Sequence, residues 1–179
     1  MREEKIDIGR ATMLAGYHIM DTPPEPAFDD IVYLAADICE APIALVSLVE
    51  DSRQWFKARV GLDLCETDIG SSVCRHGLGS PDLLIIPDLK TDPRTAENPL
   101  VVARPPIRFY AGAPLRTSTG DALGMLCVID RFPRAMGLTQ RQQRALSALA
   151  RQAVTTIEFQ RFLRERDGAI GALAEVGAE

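Results

Sequence analysis

Cys74-Arg75-His76 is the triplet in this sequence best suited to chemistry. A thiol beside a cation ionises more readily, and the thiolate is the nucleophilic, oxidisable form. Cys74 is therefore a candidate nucleophile or redox sensor. The plainer reading is a thiol in a pocket wall, since unpaired cysteine packs as a small hydrophobe. Cys65 is the second thiol on the same irregular stretch, as a dithiol mechanism would need. His76 can hydrogen-bond or ligate a bound group, or serve as an ordinary hydrogen-bonded histidine. Asp88, Asp92 and Arg94 can ring a polar pocket mouth, while Asp92-Pro93-Arg94 equally suits a surface turn closed by its own ion pair. Trp55, Phe56, Phe109 and Tyr110 fall in two strand-like segments. Alternation sends neighbours to opposite faces, so one of each pair faces a binding side and the other packs in the core. Trp55, Cys74, His76, Asp88, Arg94, Phe109 and Tyr110 form the candidate ligand-binding set. No residue is assigned a catalytic role and none a metal.

Other chemistries lack their residues. The four cysteines (Cys39, Cys65, Cys74, Cys127) and two histidines (His18, His76) have no close zinc-type spacing. No phosphate-binding glycine loop, paired-carboxylate site or Ser/His/Asp arrangement stands out.

These residues need a scaffold, and the bulk numbers allow one domain. The chain has 179 residues, 46% hydrophobic and 25% charged, which is ordinary for a globular domain with a full core. A net charge of −5 gives little affinity for nucleic-acid phosphates or anionic lipid. No apolar run reaches the roughly 18 residues that read as a membrane span. Met1-Arg2-Glu3-Glu4-Lys5 has no apolar segment behind it, so a cytoplasmic location is expected.

The hydropathy pattern orders the elements. A first helix is expected within residues 1–17, ended by the prolines of Thr22-Pro23-Pro24-Glu25-Pro26. Phe28, Ile31, Val32, Ala35, Ile38 and Cys39 recur at helical spacing. Ile43–Val49 is a near-continuous apolar run, as in a strand covered on both faces. Glu50-Asp51-Ser52 turns it into a second strand, Arg53–Val60. From Gly61 to Pro106 the pattern is irregular, with a short helix expected at Ser71–Leu78, a strand at Leu83–Ile86 and a helical turn at Pro99–Ala103. Ile107–Thr117 and Ala122–Ile129 form a second hairpin. A helix over 138–167, N-capped by Thr139, closes the domain at 1–167, and 168–179 is expected to fray. Hairpin links demand antiparallel neighbours, so the fold class is α+β. Ile31, Ala35, Ile38, Leu146, Leu149 and Ala153 should be buried on one sheet face. The irregular middle should cover a cavity on the other.

Several segments resemble the GAF domain family of bacterial sensor proteins. They are Met20-Asp21-Thr22-Pro23-Pro24-Glu25, Phe28-Asp29-Asp30-Ile31, Ile43–Val49, Arg53–Ala58, Ser72-Val73-Cys74-Arg75-His76, Ile86-Pro87-Asp88, Asp92-Pro93-Arg94, Asn98–Val101, Ile107–Leu115 and Gly124–Asp130. The resemblance implies an antiparallel sheet of five or six strands with both terminal helices on one face. It also implies a ligand pocket under loops and short helices on the other face. It further implies regulation of an output domain or protein of the histidine kinase or diguanylate cyclase type, passed on through a helical homodimer. With this length the module is expected to be free-standing or excised from such a protein. Bilin-binding relatives carry a cysteine followed directly by histidine, and Arg75 intervenes here, so covalent bilin is not supported. Cyclic-nucleotide binding is not supported either, because the Asn-Lys-Phe-Asp-Glu signature is missing. The ligand stays unassigned. The alternatives are a methionine sulfoxide reductase-like redox enzyme using Cys74, and a ligand-free dimerisation scaffold. No nucleic acid or membrane partner is expected.

Overall fold

Proline decides where the second helix begins. In the computed structural model, which describes residues 9–176 and side chains through 170, Pro26 opens α2 (Pro26–Cys39) behind an extended Glu25. Its missing amide costs nothing in the first turn. A shorter α1 (Arg10–Ala15) precedes it. Residues 1–8 of the expected first helix lie outside the described residues. The Arg10 guanidinium donates to the carbonyls of Val49 (2.9 Å) and Ala122 (2.8 Å), tying α1 to the sheet.

Six strands follow: β1 (Ile43–Val49), β2 (Arg53–Val60), β3 (Glu66–Asp68), β4 (Leu84–Ile86), β5 (Phe109–Arg116) and β6 (Ala122–Asp130). They form one antiparallel sheet in the order β3-β2-β1-β6-β5-β4. Every residue of β1 is buried, as its apolar run requires for a strand covered on both faces. β3 was not expected, because Glu66-Thr67-Asp68 carries no apolar pattern. It is a short polar edge strand, the kind that resists pairing with other chains.

The register of β1 against β2 skips one residue. Val46 pairs with Ala58 and Ser47 with Phe56, leaving Lys57 as a bulge. A bulge re-aims side chains. Here Trp55 and Ala58 face the helices and Phe56 faces the other way.

The C-terminal α4 (Gln140–Val176) starts behind a reciprocal cap. Thr139 Oγ1 accepts from the Gln142 amide at 3.3 Å, and Gln142 Oε1 accepts from the Thr139 amide at 3.0 Å. The helix does not break at Gly168 but runs to Val176, 37 residues or about 55 Å. A helical glycine costs only about 1 kcal/mol relative to alanine, and Ala169, Ile170, Ala172, Leu173 and Ala174 around it are compatible with helix. Among the described residues no helix is long and apolar enough to cross a membrane.

Helices α2 and α4 cover one face. Ile31, Ala35, Leu146 and Ala153 are buried against it, whereas Ile38 and Leu149 are half-buried at the margins. Ala150, Val154 and Ile157 also belong to this core. The apolar stripe of α4 up to Ile157 is therefore taken up within the chain. Exposed apolar residues continue beyond it at Phe159, Phe162 and Ile170.

Candidate functional site

On the face away from the helices, the strands present Ile43, Leu45, Phe56, Tyr110, Met125, Cys127 and Ile129. The segment 61–107 folds over them, burying Val73, Cys74, Leu89, Val101 and Ile107. It contains two turns of 3-10 helix, Ile69–Ser71 and Cys74–Gly77, and the one-turn α3 (Pro99–Val102). A segment so poor in regular structure needs side chains to satisfy its backbone. The Asp68 carboxylate accepts from the Ser71 amide at 3.0 Å and hydroxyl at 2.8 Å, bonds that lower its pKa. Asn98 Oδ1 caps α3 at the Leu100 amide (2.9 Å), and its Nδ2 donates to the Ser71 carbonyl (3.1 Å). The Ser72 hydroxyl donates to Gln54 Oε1.

Beneath this cover lies a pocket of about 50 Å³, lined mainly by apolar side chains with Gln54, Thr67 and Ser71 among them. The Thr67 hydroxyl is buried with no hydrogen-bond partner among the described residues. The pocket has room for a few water-sized molecules, far below the several hundred Å³ of drug-sized ligand sites. A larger guest therefore requires the cover to move.

One end of the pocket is a sulfur cluster. Cys74 and Cys127 face each other with their sulfurs 3.8 Å apart, both buried. The Tyr110 hydroxyl donates to Cys74 Sγ at 3.3 Å. Two glycines permit this packing. A Cβ at Gly77 would run into Met125, and one at Gly112 would run into the Tyr110 ring and hydroxyl. Burial opposes ionisation of Cys74, but hydrogen bonds involving Cys127 and Tyr110 outweigh it and hold the Cys74 pKa below the ordinary thiol value. Its hydrogen bond to Cys74, together with burial, pushes Cys127 well up. Burial, then the charge on the sulfurs, does the same to Tyr110.

The sequence-derived candidates separate on this frame. Cys74 and Tyr110 line the pocket. Trp55 and Phe109, chosen as ligand-facing, instead pack in the helix-side core. Phe109 lies under the Arg134 guanidinium, 4.9 Å from its centroid. The two neighbours of each aromatic pair face opposite ways, and Phe56 and Tyr110 are the members on the pocket side. His76 is half-buried in the Cys74–Gly77 turn, close enough to Asp92 to favour its charged form. Asp88 pairs with Arg108 at 2.6 Å, and Arg94 closes its own turn on Asp92 at 2.6 Å. Neither Asp88 nor Arg94 lines the pocket. Cys65, the second thiol that a dithiol mechanism on the irregular stretch would use, is exposed; its carbonyl accepts from the Phe56 amide at 2.9 Å. The thiol beside Cys74 is Cys127, 53 residues along the chain. Among the described residues no group of three or more His, Cys, Asp or Glu side chains is placed to hold a metal.

An antiparallel sheet with α2 and α4 on one face and a covered pocket on the other is the architecture that the GAF resemblance implies. The sequence profile of the GAF domain family matches residues 23–157, and the chain belongs to that family. It is 39% identical over 139 residues to a cyclic di-GMP phosphodiesterase of Pseudomonas aeruginosa, matching 78% of this chain and 24% of that protein. The chain thus spans about a quarter of that relative's length. Its fold is similar to the PixJ GAF domain of Thermosynechococcus elongatus in its blue-light absorbing form, with TM-score 0.64 and 13% identity over 93% of this chain and 98% of that one. It is likewise similar to free methionine-R-sulfoxide reductase of Neisseria meningitidis, with TM-score 0.60 and 14% identity over 91% and 96% of the two chains.

Proposed function

We propose that this module senses a small molecule in the cytoplasm and passes the signal through a homodimer of its α4 helices to an output domain. The pocket between the sheet and the 61–107 cover carries the reading. It is mainly apolar, with Gln54, Thr67 and Ser71 as orienting groups, the usual make-up of a ligand site. The unpartnered Thr67 hydroxyl favours an occupant with a hydrogen-bonding group. Because the pocket is small, binding a guest opens the cover, and that displacement is the signal.

The output half rests on α4. Phe159 and Phe162 are each 59% exposed, as is Ile170. Thr155, Phe159, Phe162, Arg166 and Ala169 alternate at spacings of four and three, the period of a two-helix seam. A two-fold dimer is the commonest way to cover such a stripe. The output is of the cyclic di-GMP turnover or histidine kinase type. The relative named as a cyclic di-GMP phosphodiesterase supports the first.

The redox-enzyme alternative asks Cys74 to meet a methionine sulfoxide. With the cover closed, a pocket of about 50 Å³ leaves no room for a methionine sulfoxide against the buried Cys74. The scaffold alternative predicts no guest at all. Native mass spectrometry and absorbance of the freshly purified protein test the choice, beside Leu100→Trp, which fills the pocket from the cover. A non-covalent mass on the wild type that the variant lacks supports sensing. An empty wild type that no small-molecule panel stabilises more than the variant overturns it.

A further inference from the structure

We propose that Cys74 and Cys127 form a hydroperoxide-responsive dithiol, with Cys74 as the attacking sulfur and Cys127 as the resolving one. The two sulfurs stand 3.8 Å apart, and a disulfide needs about 2.05 Å. Closing that gap requires rotation of a side chain and a shift of backbone. The two backbones are unequal in freedom. Cys127 sits inside β6, paired on both sides, while Cys74 opens the short 3-10 turn of the cover. The turn is the partner that moves.

Three further observations fit this chemistry. The Tyr110 hydroxyl donates to Cys74 and stabilises the thiolate. The buried Ser47 hydroxyl has no hydrogen-bond partner among the described residues, and it favours the charged form of Cys74. Cys74 also borders the pocket, whose volume of about 50 Å³ admits hydrogen peroxide or the head of a small alkyl hydroperoxide. The remaining thiols are elsewhere. Cys39 lies in the helix-side core and Cys65 is exposed.

The reaction balances in two steps. The Cys74 thiolate attacks the terminal oxygen of the hydroperoxide. An S–O bond forms, the O–O bond breaks, and the alcohol, or water from hydrogen peroxide, leaves with the proton Cys74 released. Cys127, losing its proton, then attacks the Cys74 sulfur. The S–S bond forms, the S–O bond breaks, and the hydroxyl leaves as water with the Cys127 proton. Two electrons pass from sulfur to oxygen, and a small dithiol reductant reverses the change by thiol exchange. The product ties the turn over the pocket to the centre of the sheet. This chemistry belongs to the thiol pair and holds whether or not the pocket carries a ligand.

The test uses the full chain with Cys65→Ser, which removes the exposed thiol. Reduced protein is treated with hydrogen peroxide, alkylated, and mapped without reduction. The expected result is a loss of two hydrogens, a single Cys74–Cys127 cross-linked peptide, and full reversal by dithiothreitol. With Cys127→Ser added, Cys74 stops at the sulfenic acid and is captured by dimedone. Oxidised protein in which Cys74 and Cys127 both remain alkylatable overturns the proposal, as does a cross-link to Cys39 or equal dimedone capture with and without Cys127. The cross-link map of the Cys65→Ser protein decides the matter alone if serine in the core disturbs folding.

Discussion

The Lys57 ammonium lies 2.5 Å from Glu25 Oε1, with the lysine side chain wholly buried and the glutamate one-third exposed. The sheet bulge aims Lys57 at this site, where it also donates to Thr22 Oγ1 and the Pro23 carbonyl, each at 2.7 Å. It stands 5.2 Å from the Phe28 ring centroid. Glu25 in turn accepts from Gln160 of α4 at 2.5 Å. One ion pair thus joins β2, the start of α2 and the long helix. Its two halves should not be equivalent. Glu25→Ala strands a buried cation and should cost about 3 kcal/mol. Lys57→Met leaves a carboxylate that water can reach and should cost about 1 kcal/mol. Urea unfolding of both variants checks the ranking, and the reverse order would contradict it.

Stability should fall in acid for a traceable reason. Hydrogen bonding to Arg108 lowers the Asp88 pKa, and hydrogen bonding to Arg94 does the same for Asp92. At Glu25 burial acts upward, but Lys57 and Gln160 outweigh it and the pKa is also lowered. Each group is more acidic folded than unfolded. Each therefore stabilises the fold above the unfolded carboxylate range, about pH 4, and that contribution is lost as pH falls through the folded value. Urea midpoints should be level from pH 7 to about 5 and decline toward pH 3. Asp88→Asn should shallow the decline, and a decline unchanged by that variant would point to other carboxylates.

Gly112 should resist the smallest substitution. A Cβ there meets the Tyr110 ring and hydroxyl, and overpacking of this kind typically costs 1–3 kcal/mol. Gly112→Ala should also displace the Tyr110 hydroxyl from Cys74 and slow alkylation of Cys74 near neutral pH. Unchanged stability and alkylation rate would mean that the ring relocates freely.

The dimer has a specific test. Ile157 is 1% exposed in the helix-side core, so Ile157→Glu should unfold the domain and reports nothing about assembly. Phe159→Glu with Phe162→Glu instead alters only exposed positions. In sedimentation at tens of micromolar the wild type should be a dimer and this variant a folded monomer. A monomeric wild type would remove the dimer from the reading.

Periodicity made the helix-side layer legible, because Phe28, Ile31, Val32 and Ala35 repeat at 3.6 and β1 is apolar throughout. Turn chemistry marked both hairpins. The pocket face was legible only in part. Cys74 and Tyr110 stood out by type, but the period of two assigns faces only relatively, and it needs an anchor to say which face is which. The Lys57 bulge then shifts the phase within β2, and no residue type in Arg53–Val60 announces it. The partner of Cys74 was missed for a topological reason. Cys65 is close in sequence, while Cys127 comes near only once β6 lies at the centre of the sheet beside β1. Asp88 and Arg94 looked like ligand groups because charge in a loop has two uses, and here each is satisfied by a neighbouring side chain.

The sheet separates two apolar layers of unequal size, the larger under the helices and the smaller under the 61–107 cover. Amide exchange translates that inequality into an order of opening. A layer with less buried apolar surface, closed by side-chain bonds rather than by regular structure, opens at lower free energy than the whole fold. Amides of 61–107 should therefore exchange while those of β1, β6 and α4 stay protected. The pocket side of the sheet can then open while the helical layer on the other side keeps its shape.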